Sequence, residues 1–239
     1  MHIQTFPLIK SLRYGENPHQ KANWYGLNNF GWNAAKQLQG KELSYNNLLD
    51  LESALSTILE FDYEIEKNSV KKCASIILKH NNPCGAALGY SLSEAFKNAL
   101  ACDATSAFGG IVALNHTVDI LTAELLSDIF LECVVAPSFD KEALDLLKNK
   151  KNLRLIELKK EHLANDNKMI VKSILGGILV QDKDNKIDTE SEWTCVTKIK
   201  PKDAEFDDLR FAWKICKHVK SNAIVIARNE SSIGIGAGQ

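Results

Sequence analysis

The chain has 239 residues, 45% of them hydrophobic and 25% charged, a composition that suits one large globular domain or two small ones. Its 29 Lys and Arg against 30 Asp and Glu leave a formal charge of −1, which removes any general electrostatic reason to bind nucleic acid or an anionic membrane. No apolar stretch approaches the ~20 residues of a membrane span, and residues 1–7 lack a basic-then-apolar signal pattern. The six cysteines include no C-x-x-C pair and read as free thiols of a reducing compartment, so a cytoplasmic protein is expected.

In chain order, residues 12–20 form a loop broken by Gly15 and Asn17-Pro18. It crowds Arg13, Tyr14, Asn17, His19 and Gln20 together; an Arg grips a phosphate or carboxylate bidentately, though a plain surface turn has the same residues. Leu48, Leu51, Leu55 and Ile58 have helical spacing, with Asn46 or Asn47 as N-cap. In residues 75–85 the run Ile76-Ile77-Leu78 lacks alternation, which predicts a strand buried on both faces. That strand ends in Lys79-His80, and Asn81, Asn82, Pro83 and Gly85 predict a loop after it. A base and a cation thus sit where a buried strand gives out, and ligands of open α/β sheets bind beyond the carboxyl ends of the strands. A solvated strand end is the plain alternative.

Ser91 and Glu94 have the spacing of a capping box for a helix bearing Leu92, Phe96, Ala99 and Leu100. Gly109-Gly110 feeds a strand at 111–114, a helix starts at Thr117, a strand covers 133–135, Asp140 caps another helix, and 153–158 is the next strand. This alternation predicts a mainly parallel, doubly covered sheet up to about residue 165. Polar residues 162–168 mark a boundary, giving a first α/β subdomain over 1–165 and the start of a second over 166–239. Strands are expected within 171–180 and 193–198, and a helix over 203–219 with Leu209, Ala212, Ile215, Cys216 and Val219 facing inward. A strand over 223–227, a turn and a glycine-rich end follow, with no short repeat anywhere.

Zinc is a poor match, because His80, Asn82 and Cys84 lack the second cysteine of a P-C-x-x-C site, that position being Ala87. A Cys84–His80 hydrolase stays open, with Lys79 as the one neighbour that would lower the thiol pKa. General acid–base work by His80 fits better: an adjacent ammonium favours the neutral, basic ring and can steady a developing oxyanion.

Residues 13–20 (Arg-Tyr-Gly-Glu-Asn-Pro-His-Gln), Lys79-His80-x-x-Pro83-x-Gly85, 106–110, Ala136-Pro137, Ser221-Asn222 and 234–239 together resemble one family. It is the AICAR transformylase domain of the bifunctional purine-biosynthesis proteins, whose other half is an IMP cyclohydrolase. The resemblance implies an α/β, cytidine-deaminase-like three-layer fold without zinc, its sheet covered by helices, plus part of a second α/β region. It implies formyl transfer from the co-substrate 10-formyltetrahydrofolate to the 5-amino group of AICAR in IMP biosynthesis. By that likeness His80 deprotonates the amine, Lys79 stabilises the oxyanion and assists the departing folate nitrogen, and Asn222 orients the imidazole and the substrate carboxamide. Arg13 and Tyr14 match substrate-binding positions, Phe108 and Gly109 a loop against AICAR, and Glu132 an acidic substrate contact. Homodimers with sites at the subunit interface, and potassium near Ser221-Asn222, are also implied.

The resemblance covers the N-terminal part of the transformylase domain, with no cyclohydrolase half before it. The chain is therefore expected to be a fragment truncated at Gln239, to depend on a missing C-terminal half, and to transfer little formyl group by itself, since catalysis needs placement to about an ångström. A non-catalytic half that binds AICAR or a partner chain is the other reading.

Overall fold

The computed structural model, which describes residues 6–27, 29–64, 71–163, 169–184 and 190–238, is built around an eight-stranded sheet with helices packed on both faces. Its elements are β1 (Leu8–Leu12), β2 (Ala22–Tyr25), β3 (Lys36–Gln39), α1 (Tyr45–Ile58), β4 (Cys73–Lys79), β5 (Asn82–Gly89), α2 (Leu92–Cys102), α3 (Ala104–Ala107) and β6 (Gly110–Leu114). There follow α4 (Ile120–Ser127), β7 (Leu131–Ala136), α5 (Lys141–Leu147), β8 (Arg154–Glu157), β9 (Met169–Ile174), β10 (Gly177–Asp182), α6 (Asp203–Cys216), β11 (Ile224–Arg228) and β12 (Ser231–Gly236). The large sheet has the order β11-β12-β5-β4-β6-β7-β8-β3, while β1–β2 and β9–β10 form separate two-stranded sheets.

The sheet is mixed, not mainly parallel as the alternation of elements suggested. Only β6–β7 and β7–β8 pair in parallel; the other five neighbouring pairs are antiparallel. The cause is local. Two-residue turns join β4 to β5 and β11 to β12, and a tight turn can only reverse the chain, whereas α4 and α5 supply the long crossovers that parallel neighbours require.

The loop expected after Lys79 is replaced by such a turn. His80 and Asn81 both take left-handed backbone, φ 52° and 59°, as the two central residues of a tight hairpin turn do. Asn and His are among the non-glycine residues that tolerate this region best. Pro83 and Gly85 lie inside β5 and flank a bulge: Ile77 is opposite Gly85 and Leu78 opposite Pro83, so Cys84 is the extra residue. A bulge is one of the few places where a sheet accepts proline.

Burial of residues 76–78 on both faces is confirmed. Ile77 packs with Phe96, Val112 and Val134 in one core, while Ile76 and Leu78 pack with Leu51, Ile58 and Val135 in the other, all essentially without solvent exposure. Each such aliphatic side chain contributes roughly 1.5–3 kcal/mol.

Other details differ from expectation. The cap of α1 is Ser44, not Asn46 or Asn47: its Oγ accepts Asn47 N at 3.1 Å and its own N–H donates to Asn47 Oδ1 at 3.1 Å, satisfying two helix-end donors reciprocally. The helix after Thr117 begins at Ile120, capped by Asp119. Residues 193–198 form no strand, and Leu209 is exposed while Phe211 and Ile215 are the buried residues of α6. Most of the polar stretch 162–168 lies outside the described residues; β8 before it and β11–β12 after it share the large sheet.

A repeat invisible in the sequence emerges. A helix followed by a tightly turned hairpin occurs twice, as α1–β4–β5 and as α6–β11–β12. Asn229 and Glu230 turn the second hairpin with φ 53° and 51°. The hairpins meet antiparallel at β5 and β12, where Ser232 Oγ bonds Ala86 N at 2.8 Å and Ala86 O at 3.0 Å, so their turns lie at opposite edges of the sheet.

Candidate functional site

Topology alone brings several distant residues to one edge. Because β4 runs antiparallel to β6, the Lys79 end of β4 lies beside the first residues of β6 and hence of its parallel neighbours β7 and β8. The start of β5, the end of β12 and the start of β11 meet the same edge. Lys79, His80, Phe108, Gly109, Glu132 and Asn222 are therefore all edge residues. The carboxyl-end rule is not the reason, for beside β6, β7 and β8 this is the amino edge.

At the centre, His80 is exposed and Lys79 half-buried, its Nζ donating to Phe108 O at 2.6 Å. Gly109 has φ 71° and donates its N–H to Phe130 O at 2.7 Å, which turns the chain so that the Phe108 ring stands out, 58% exposed and 5.2 Å from the Phe130 ring. Beside these groups lies a cavity of about 400 Å³ whose lining includes Lys79, His80, Asn82, Cys84, Asp103 and Ser106. Burial, with smaller contributions from Asp103 and Cys102, pushes the Cys84 thiol up to about 12, and its Sγ points to Ile77 O at 3.6 Å. Such a thiol is almost wholly protonated at neutral pH, which removes the basis of a Cys–His hydrolase. Asp103 is held below the ordinary carboxylate range by Ser106, whose Oγ and N–H donate to it at 2.5 and 2.9 Å.

The turn is held from two sides. Asp50 Oδ1, on α1, accepts Asn81 N at 2.8 Å. Turned with its nitrogen inward, the Asn81 carboxamide meets Leu49 O, Ser53 Oγ and Asp50 Oδ1 at 3.1, 3.1 and 3.2 Å. Burial raises the Asp50 carboxyl, against the opposing pull of the Asn81 amide, the His80 imidazole and amide, and the Lys220 ammonium. From the other side Lys220 N donates to Asn82 Oδ1 at 3.0 Å, tying the segment before Asn222 to the start of β5. Gly238 N donates to Lys220 O at 2.7 Å, and Gly238 must be glycine, since a Cβ there would lie 1.8 Å from Ser221 O. Asn222 is exposed and lies outside the cavity lining.

Arg13 and Tyr14 stand further out. The exposed guanidinium lies over the Tyr14 ring, 4.7 Å from its centroid, with Nη2 donating to Tyr14 Oη at 3.0 Å. Asn46 Nδ2 holds this loop through Glu16 O at 3.2 Å. Asn46 and Asp50 are one helical turn apart on the same face of α1, so a single helix carries both the Arg13 loop and the His80 turn. Glu132 is bound to Arg154 Nη1 at 2.7 Å, on the second strand over from β4 and thus ~10 Å away. None of Arg13, Tyr14 and Glu132 lines the cavity. Sequence reasoning missed Asp50 and Asp103, and gave Asn82 and Ser106 no role at this site. Asp50, flanked on its helix face by Asn46 and Ser53, carried no sign of its position; the sign of the turn was two successive residues tolerant of left-handed backbone. Among the described residues no group of three His, Cys, Asp or Glu side chains gathers to hold a metal ion, and no helix is long and apolar enough to cross a membrane.

The family model described as "AICARFT/IMPCHase bienzyme" matches residues 2–239. The chain is 65% identical over 238 residues to the bifunctional purine biosynthesis protein PurH of Prochlorococcus marinus strain MIT 9515, covering 99% of this chain and 46% of that protein. It is 55% identical over 239 residues to PurH of strain NATL1A, again covering 99% of this chain and 46% of the relative. The chain thus spans about half the length of the curated relatives it matches. With a family match across nearly every residue, the chain belongs to the AICARFT/IMPCHase bienzyme family.

Proposed function

We propose that this chain carries the acid–base centre of an AICAR formyltransferase of purine biosynthesis. The observation that supports this best is convergence: Lys79-His80, Phe108-Gly109 and the segment before Asn222 reach one sheet edge from three separate parts of the chain, beside a cavity of about 400 Å³. In this reading His80 takes a proton from the 5-amino group of AICAR as its nitrogen attacks the formyl carbon of 10-formyltetrahydrofolate. A C–N bond forms, the carbonyl oxygen gathers negative charge, and Lys79, already fixed by Phe108 O at 2.6 Å, stabilises it. The bond from the formyl carbon to the folate N10 then breaks, with Lys79 assisting protonation of that nitrogen. Asn222 orients the imidazole and the substrate carboxamide, Arg13 holds the phosphate, Tyr14 and the exposed Phe108 flank the base, Gly109 shapes that loop, and Glu132 is an acidic contact.

The mixed sheet with helices on both faces is compatible with a cytidine-deaminase-like fold, which we infer together with a homodimer. Ser221 and Asn222 offer neutral carbonyl and carboxamide oxygens, the donor type that potassium takes, so that ion fits as a structural tie with no part in the transfer. The 46% span of the relatives favours a second reading, a substrate-binding half that works with further polypeptide or a second copy.

Titration calorimetry with AICAR and single-turnover formyl transfer test both. Arg13→Ala is expected to weaken AICAR binding at least about tenfold, since it removes the phosphate contact. His80→Ala should bind normally and transfer nothing, and Cys84→Ala should behave as the parent. AICAR binding without transfer selects the second reading; neither binding nor transfer rejects both.

A further inference from the structure

Both tight turns use the same tie. Asp208, on α6, accepts Glu230 N at 2.6 Å, as Asp50, on α1, accepts Asn81 N at 2.8 Å. In each case the donor is the second turn residue, and both central residues have left-handed backbone that non-glycine residues adopt reluctantly. An external acceptor offsets that reluctance. What differs is the cargo. The far turn carries Glu230, whose carboxylate is paired with Lys72; the near turn carries His80, next to Lys79 and on the wall of the cavity.

We propose that Asp50 is the positioning residue for His80: its carboxylate, fixed in α1, holds the turn of residues 80 and 81 in the one conformation that presents the imidazole to the cavity beside Lys79. The role rests on the formyltransferase reading of that site. Three observations carry it. Asp50 Oδ1 takes the Asn81 amide, so the backbone immediately after His80 is pinned to a helix. Ser53 Oγ and Leu49 O engage the Asn81 side chain from the same helix, so the tie is three-point. Asp50 is also held half-buried although burial raises its carboxyl, a desolvation cost that an uncharged residue there would not incur. The titratable groups that face it are the His80 ring on the turn and the Lys220 ammonium before β11.

The second hairpin supplies a matched control. Asp50→Ala is expected to raise main-chain amide exchange at Asn81 about tenfold or more, with the amides of Ile76 and Ala86 unmoved. The φ of His80, read from NMR couplings, should leave the left-handed region. Formyl-transfer kcat should fall about tenfold or more with the KM for AICAR nearly constant, and Asp50→Asn, which keeps a carbonyl acceptor, should restore most of both. Asp208→Ala should speed exchange at Glu230 equally while leaving the φ of His80 and kcat as in the parent. Asp50→Ser, too short to reach the Asn81 amide, gives the same comparison should the alanine variant not fold. An unchanged φ at His80 in Asp50→Ala, or equal loss of kcat in Asp208→Ala, overturns the proposal. If the parent chain neither binds AICAR nor transfers a formyl group, the reading of the site fails; if it binds without transfer, the kinetic comparison falls away, and in both cases Asp50 is still decided by the exchange and φ measurements.

Discussion

At one edge of the sheet His80 and Asn81 turn β4 into β5; at the opposite edge Asn229 and Glu230 turn β11 into β12. Their backbones and their aspartate ties are alike, yet their surroundings diverge. At the far turn Lys72 pairs with Glu230, and nearby Lys71 pairs with Asp62 at 2.7 Å. At the near turn the Lys79 ammonium donates to the carbonyl of Phe108, a dipole that leaves the charge in place. The hairpins also differ in cover. Helices lie on both faces of β4, whereas β11 packs one face on α6, and Ile224, Ile226 and Ile233 of the second hairpin are more than half exposed. The same backbone device thus becomes a candidate site where packing fixes it on both sides and the neighbouring cation, among the described residues, is tied to a carbonyl and not paired with a carboxylate.

The largest test of that contrast compares two glycines in equivalent hairpins. A Cβ on Gly85 would sit 2.1 Å from Ala99 O of α2, while one on Gly234 meets nothing within 4 Å. Gly85→Ala should cost about 3 kcal/mol or more in urea unfolding, since strand and helix must separate. Gly234→Ala should fall within about 1 kcal/mol of the parent, with either sign small. Similar losses in both would mean that the two hairpins are packed alike.

Lys79→Met comes next. It removes the tie to Phe108 O and the positive charge, so formyl transfer should fall about a hundredfold or more with little change in melting temperature. The corresponding Lys72→Met at the far turn should leave transfer unaffected and cost only a fraction of a kcal/mol, about 0.5, because the pair it breaks is partly exposed.

Glu60 links the two helix–hairpin units. Burial alone raises its carboxyl, but hydrogen bonds from His218 and Lys217, the latter at 2.9 Å just beyond α6, more than reverse this and bring it from 4.5 down to about 2. A folded-state pKa below the unfolded one stabilises the fold above about pH 4.5, and that contribution disappears as pH falls toward 2. Glu60→Gln should therefore cost about 1 kcal/mol at pH 7, after allowance for solvent screening, and nothing near pH 2, as read by denaturant titration across pH. A constant difference at every pH would assign the loss to packing instead.

The smallest effect concerns the thiols. Cys195 is exposed and drawn below its ordinary range by the Thr197 hydroxyl and amide, whereas burial pushes Cys84 and Cys133 up to about 12. Alkylation at pH 8 followed by peptide mapping should mark Cys195 first and spare Cys84 and Cys133. Early labelling of Cys84 would reopen a nucleophilic role for it.

Much of this molecule is written in short stretches. The apolar run 76–78, the serine cap of α2, the amphipathic pattern of α6 and the polar loop around Arg13 each express interactions among residues a few positions apart, and each is found in the structure. So are the chemical types at the candidate site, because an imidazole next to an ammonium is a property of two adjacent residues. Other features depend on partners far along the chain. Pro83 and Gly85 signal a break, and only the pairing of β5 with β4 and β12 turns that break into a bulge within a strand. Residues 76–78 and 224–226 are equally apolar, yet the first triplet is fully buried and the second is half exposed, because helices cover both faces of β4 and one face of β11. Asp50 looks like one more polar residue of a helix until the Asn81 amide, 31 positions later, is brought against it at 2.8 Å. Local sequence fixes backbone preference and chemical type; which strands become neighbours, which face is covered and which carboxylate meets which amide are set by burial of the whole sheet, and that is a tertiary property.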